Sequence, residues 1–296
     1  MKSPISSSRT RQSSWWRLLA YFLKWFGCCV VAFIPVLIIN QFVFDWDFRN
    51  RPPYPNVINL TTNLGMLVGT IWVTYITVRG EKRKLSSLFI IPLWKDFLKG
   101  FGFGTMFMIV FMIITQSFGI IRFELADFSK QFYFDFFFFL MIAVIEEIVS
   151  RGHILSILKE KYSDFISLLV SSVIFGLFHL GNDHVTVIGL STITASGFLM
   201  GLITLRTGSI SMAVGLHWAW NFVQGAILGL CVSGQDQVGI FAPQFLSSAL
   251  LTGGDFGAEG SLIMLVITIL VLILVYRFWL KIFGVRLKDQ SDNAQV

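Results

Sequence analysis

Eight apolar runs, each long enough to cross a bilayer, restrict the folds open to this chain more than any other feature. A helix needs about 20 apolar residues to span the hydrocarbon core. Runs of that order lie at 17–44, 57–79, 97–121, 132–157, 164–182, 185–205, 209–231 and 261–283. The fold class expected is therefore all-α: a polytopic integral membrane protein with about eight transmembrane helices. Composition agrees, since 55% of the 296 residues are hydrophobic, 14% are charged and the mean hydropathy is +0.73, whereas soluble domains carry about 25% charged residues.

The formal charge of +6 raises nucleic acid as a partner. Lys and Arg fall mainly in short segments between the apolar runs, where they act as topological anchors, so no nucleic-acid partner is expected. With eight spans the basic segments share one side: Lys2 to Arg17, Arg79 to Lys84, Lys159 and Lys161, Arg206, and Lys281 to Lys288. That side is expected to be cytoplasmic and to hold both termini. The opposite loops, Asp45–Arg51, Arg122–Lys130, Gly181–His184 and 232–260, are balanced or acidic. The division expected is a cytoplasmic tail at 1–16, one transmembrane helical domain at 17–284 with a catalytic core at about 132–231, and a cytoplasmic tail at 285–296. Cys28, Cys29 and Cys231 form no CxxC pair and read as packing residues. The Phe-rich run Phe132–Phe139 reads as lipid-facing bulk with Asp135 at the membrane boundary.

Against this background the run Glu146-Glu147-Ile148-Val149-Ser150-Arg151 is costly. A charge at the bilayer centre costs roughly 2.5–3.5 kcal/mol even on the lenient insertion scale, so it marks a pathway or a reactive site. Glu147 and Arg151 are i,i+4 and can pair, whereas Glu146 lies about 100° around the helix and is free to face a cavity. Two other spans hold partners: Phe175-x-x-x-His179, and His217-x-x-x-Asn221 with its histidine and amide on one face. Such a set can hydrolyse an acyl bond through water, with a carboxylate and a histidine handling the proton and an amide or second histidine facing the oxyanion. It can equally offer Glu146, His179 and His217 as the ligands of one divalent metal, zinc, with water in the fourth position. The sequence leaves both open, and no other cofactor is implied.

Glu146-Glu147-x-x-x-Arg151, Phe175-x-x-x-His179 and His217-x-x-x-Asn221, in that order on separate membrane helices, resemble the three motifs of the CAAX-prenyl-protease and bacteriocin-processing family of intramembrane proteases. The resemblance covers about 140–225. It implies a membrane-embedded endopeptidase in which Glu146 and His179 activate water, His217 and Asn221 bind the oxyanion, and Glu147, Arg151 and Phe175 support the site. It implies a peptide or protein substrate, which can be membrane-associated, and membrane lipid as the surroundings. Eukaryotic relatives cleave prenylated CAAX proteins; bacterial ones act on other peptides or in defence and signalling. The short loops point to a bacterial inner membrane. A different class, a non-catalytic scaffold or regulator that uses the same cluster to bind a signalling partner, is the alternative.

Other polar residues fit plainer roles. His153 follows Arg151 on another face and His184 sits in a tight turn, so neither is expected in the site. Trp218 and Trp220 read as wall residues, Ser196 and Gly201 as small packing residues, and Gly100, Gly102 and Gly104 as permitting close helix contact.

Overall fold

A computed structural model describes residues 13–43 and 55–283, with side chains described for 13–43 and 57–277. The C-terminal tail, the loop Asp45–Arg51 and nearly all of the N-terminal tail lie outside the described residues. Each apolar run contains a helix: α1 (Ser14–Val43), α2 (Pro55–Glu81), α3 (Trp94–Ser117), α4 (Gln131–Glu147) with α5 (Ser156–Lys159), α6 (Asp164–Leu177), α7 (Val187–Thr207), α8 (Ser211–Phe222) and, after the short α9 (Ala249–Thr252), α10 (Leu262–Phe283). Among the described residues, α1, α2, α3 and α7 are long and apolar enough to cross a membrane. Their outward faces carry exposed Leu23, Phe26, Val68, Ile71 and Ile113, the apolar surface a lipid solvent requires.

Two helices are interrupted by π turns. Ile148–Leu155 joins α4 to α5, and Val223–Ile227 continues α8. A π turn closes i→i+5 bonds, which inserts a residue and rotates the remainder of the helix, and such turns recur at functional sites. Here they come directly after Glu147 and begin two residues after Asn221.

Helix ends follow local chemistry. Ser163 caps α6 by accepting from the Ile166 amide, Thr186 caps α7 by accepting from the Gly189 amide, and Gly208 ends α7 at φ 70°. Helix α6 stops at Leu177, short of the expected span 164–182. Its last turn tightens, the His179 amide donating to the Gly176 carbonyl at 3.0 Å, and leaves His179 on a turn at the helix mouth.

The central element is α8, every residue of which from Met212 to Phe222 is buried. It packs against α3, α4 and α7; α2 lies against α4 and α1 against α2, α6 lies against α7 and the π turn after Glu147, and α10 covers α7. Thr70, Thr74 and Thr77 give α2 a buried polar face. Arg17, Glu81, Arg83 and Glu160 form an ion-pair network, so three of the basic segments meet at one end of the bundle.

The chain is all-α in class, as expected, and adds one two-stranded ribbon: β1 (Ile121–Leu125) pairs antiparallel with β2 (Phe241–Phe245), Ile121 opposite Phe245. Ile121 and Phe123 are buried on one face while Arg122 and Glu124 are exposed, the alternation of a half-buried strand. The Phe-rich run is not lipid-facing throughout, because Phe139 is buried and Phe136 packs edge-on to Trp218 at 4.8 Å. Asp135 is buried against the protein.

Of the three glycines on α3, two carry the contact with α8. A Cβ on Gly100 would lie 2.0 Å from the Met212 carbonyl oxygen and one on Gly104 2.3 Å from that of Leu216, while one on Gly102 meets nothing. Backbone cannot yield as a flexible side chain can. Gly100→Ala is expected to cost about 1–3 kcal/mol, as overpacking does, and Gly102→Ala to be near neutral. Thermal unfolding of both variants in detergent checks this; equal stabilities would reject the close α3–α8 packing.

Candidate active site

Glu146, on the last turn of α4, faces a cavity of about 380 Å³ lined also by Phe175, His179, His217, Trp220 and Asn221. The Nε2 atoms of His179 and His217 each lie 3.9 Å from Glu146 Oε2. That oxygen is buried and has no hydrogen-bond partner. The three sequence motifs therefore meet at one point.

Both imidazoles are oriented through Nδ1. That of His179 donates to the Phe175 carbonyl at 2.9 Å, and that of His217 donates to Glu147 Oε1 at 3.0 Å. A carbonyl and an ion-paired carboxylate accept only, so in the neutral form of either ring the unprotonated nitrogen is Nε2, the one nearest Glu146. A water molecule at this point can donate to the Glu146 oxygen and to one of the imidazole nitrogens, and keeps its lone pairs free for attack.

Glu147 faces away from this cavity and is fully buried. Its Oε1 accepts from Arg151 Nη1 at 2.7 Å as well as from His217. Arg151 Nη2 donates to the Gly197 carbonyl at 2.9 Å, and the guanidinium lies over the Phe175 ring at 4.3 Å. The glycine matters, because a Cβ at 197 would lie 3.3 Å from Arg151 Nη2 and 3.1 Å from the Phe175 ring. Phe175 also meets His179 and His217 edge-on, at 5.1 and 6.1 Å. Glu147, Arg151 and Phe175 thus form one wall behind both histidines.

His153 and His184 lie outside the cavity lining. His153 is buried, stacked on Tyr21 at 4.0 Å with its Nε2 3.1 Å from Thr74 Oγ1, tying the π turn to α1 and α2. His184 is exposed, at φ 55°. Ser196 lines the cavity, but its hydroxyl donates within α7 to the Ile193 carbonyl at 2.9 Å.

Trp220, read from the sequence as a wall residue, and Glu259, assigned no role there, also line the cavity. Trp220 Nε1 is a buried donor without a hydrogen-bond partner, whereas the Trp218 indole donates to the Phe136 carbonyl at 3.1 Å. Glu259, from the segment before α10, is buried and accepts from Gln224 Nε2 and from Ser233 Oγ. His217, Asn221 and Gln224 recur at helical spacing, so one face of α8 and its π turn reaches from the histidines to Glu259. Sequence could have marked Glu259 only as one of three acids in a Gly- and Ser-rich loop without Lys or Arg.

Burial pushes the Glu259 carboxyl above its ordinary value of 4.5, and hydrogen bonds from Gln224 and Ser233 oppose the rise. The folded protein therefore holds a proton that the unfolded chain releases, so stability from this group is full below the ordinary value and is lost as pH rises through the folded-state value. Glu259→Gln removes that dependence. Its thermal midpoint relative to wild type is expected to rise between pH 4 and 8, and a constant difference would overturn the assignment.

The donors Glu146, His179 and His217 suit zinc in kind. Among the described residues, no group of three or more His, Cys, Asp or Glu is disposed to hold a metal ion, and no step of the proposed reaction uses one.

Residues 128–223, about a third of the chain, match the family described as type II CAAX prenyl endopeptidase, Rce1-like. No curated protein matches the chain. The matched segment contains every residue of the three motifs.

Proposed function

Since the segment that carries Glu146, His179, His217 and Asn221 is of the CAAX-protease family, we propose that this membrane protein is an endopeptidase that hydrolyses its substrate through a water molecule seated against Glu146. The observation that carries the reading is the convergence of His179 Nε2 and His217 Nε2 on the unpartnered Glu146 Oε2.

Glu146, assisted by His179, takes a proton from water as its oxygen attacks the scissile carbonyl carbon. Asn221 donates to the oxyanion, joined by His217 in its imidazolium form, whose Nε2 proton comes from solvent before the attack and stays on the ring through the cycle, and the Trp220 indole is a further donor on the same wall. Collapse of the tetrahedral intermediate breaks the C–N bond, and the proton held at Glu146 or His179 passes to the leaving amine. Glu147 holds His217 by Nδ1, and Arg151 balances the Glu147 charge, so their role is positioning.

Cleavage of a peptide library by the purified protein, beside His179→Ala, tests this. Turnover by wild type and a loss of about 10²-fold or more in the variant are expected. No turnover by wild type would favour a scaffold that uses the same polar cluster for binding.

A further inference from the structure

A second chamber of about 290 Å³ adjoins the catalytic cavity, Asn63 and Gln235 lining both. Its walls are polar: Asp135, Asp236, Gln131 and Gln237 join those two, and no Lys or Arg is among its lining residues. Asp135 is 6% exposed, yet its Oδ2 is buried without a hydrogen-bond partner, as is Gln237 Oε1. Leaving such acceptors unpaired is costly. Two orphaned acceptors on residues that line a chamber with two carboxylates and no cationic side chain call for a donor that carries positive charge.

The position of Asp135 says which cation. Asp135 and Glu146 stand eleven residues apart on α4, within about 20° of each other around the helix and about 16 Å along it. Phe139 and Ile142 lie between them and line the catalytic cavity. One stripe of α4 thus presents an acid, an apolar wall and the Glu146 carboxylate in succession. A divalent ion would find only two carboxylates here, and its site would have no need to open into the catalytic cavity.

We propose that this chamber is a substrate subsite that receives a cationic side chain, Lys or Arg, of the peptide. An extended chain covers about 3.3–3.6 Å per residue, which puts that side chain about five residues from the scissile bond. The apolar stripe then faces the intervening residues. The inference rests on the peptidase reading, and the test separates the two.

Two measurements decide it. Products of a random peptide library cut by wild type, sequenced by mass spectrometry, are expected to be enriched in Lys or Arg about five residues to one side of the cut, and Asp135→Asn is expected to lose the enrichment while still cutting neutral sequences. Binding needs no turnover. Fluorescent dodecapeptides with an apolar centre and either lysine or norleucine near one end are titrated into the Glu146→Gln protein in detergent micelles. The lysine peptide is expected to bind about tenfold tighter, the scale of a charge-assisted contact. Asp135→Asn in that background removes the difference and leaves norleucine-peptide binding unchanged, which also reports that the variant is folded. The exposed Asp236→Asn reduces the difference in part. Preferential binding without wild-type turnover retains the subsite and rejects the peptidase. Equal binding of the two peptides, no binding of either, a preference that survives Asp135→Asn, or displacement of the lysine peptide by micromolar calcium overturns the subsite.

Discussion

Glu146→Gln is expected to lower kcat by about 10²–10⁴, the range for loss of a general base, while KM and the thermal midpoint change little. Glutamine keeps the shape of the side chain and can still touch water, but it cannot take the proton. The Glu146 side chain is one-third exposed to the cavity and neither histidine is within ordinary hydrogen-bond distance of it, so little of the fold rests on its charge. A loss of kcat with unchanged stability would separate it from a structural acid. A variant that unfolds, or one that retains turnover, would remove Glu146 from the chemistry.

The Glu147–Arg151 pair is expected to behave in the opposite way. Both side chains are buried, at 0% and 2% exposure, so Arg151→Leu leaves a carboxylate uncompensated and is expected to cost about 3–5 kcal/mol. The double change Glu147→Leu with Arg151→Leu removes both charges, and most of that stability should return. Activity should not return with it, because His217 loses the acceptor that fixes its Nδ1 proton. Loss of such an orienting acid costs roughly 10²-fold or more. Unfolding in detergent and kcat, measured on the single and double variants, check both halves. A double variant as unstable as Arg151→Leu would reject the coupling, and one with wild-type kcat would reject the positioning role.

Much of the site was legible in the sequence because charge in an apolar run has few innocent explanations. The spacing of Glu147 and Arg151 announced their pairing, and the adjacent Glu146 was left over. That Glu147 also holds His217 could not be read, because it depends on how α4 and α8 pack through contacts distant in sequence. The end of α6 was missed for a related reason: Phe178 and Leu180 are apolar and continue the pattern of the run, yet the chain turns there. The Phe-rich run misled because a phenylalanine stripe reads the same against lipid as against Trp218 and Phe222. The strands were hidden too, since Phe241 to Phe245 contains a proline and lies in a loop whose pairing partner is 120 residues away.

That ribbon alters how the protein can be assembled. Every residue of the proposed site except Glu259 lies between the two strands, so β1–β2 is a clasp on a closed loop of chain that contains α4 to α8. Closing so long a loop is entropically unfavourable until the helices within it have packed. The clasp is therefore expected to shut late, and Glu259, which comes after β2 in the chain, reaches its place beside Gln224 only after that closure. Completion of the cavity is in this sense a checkpoint on folding: a chain whose inner helices are misassembled cannot bring its last carboxylate to the site.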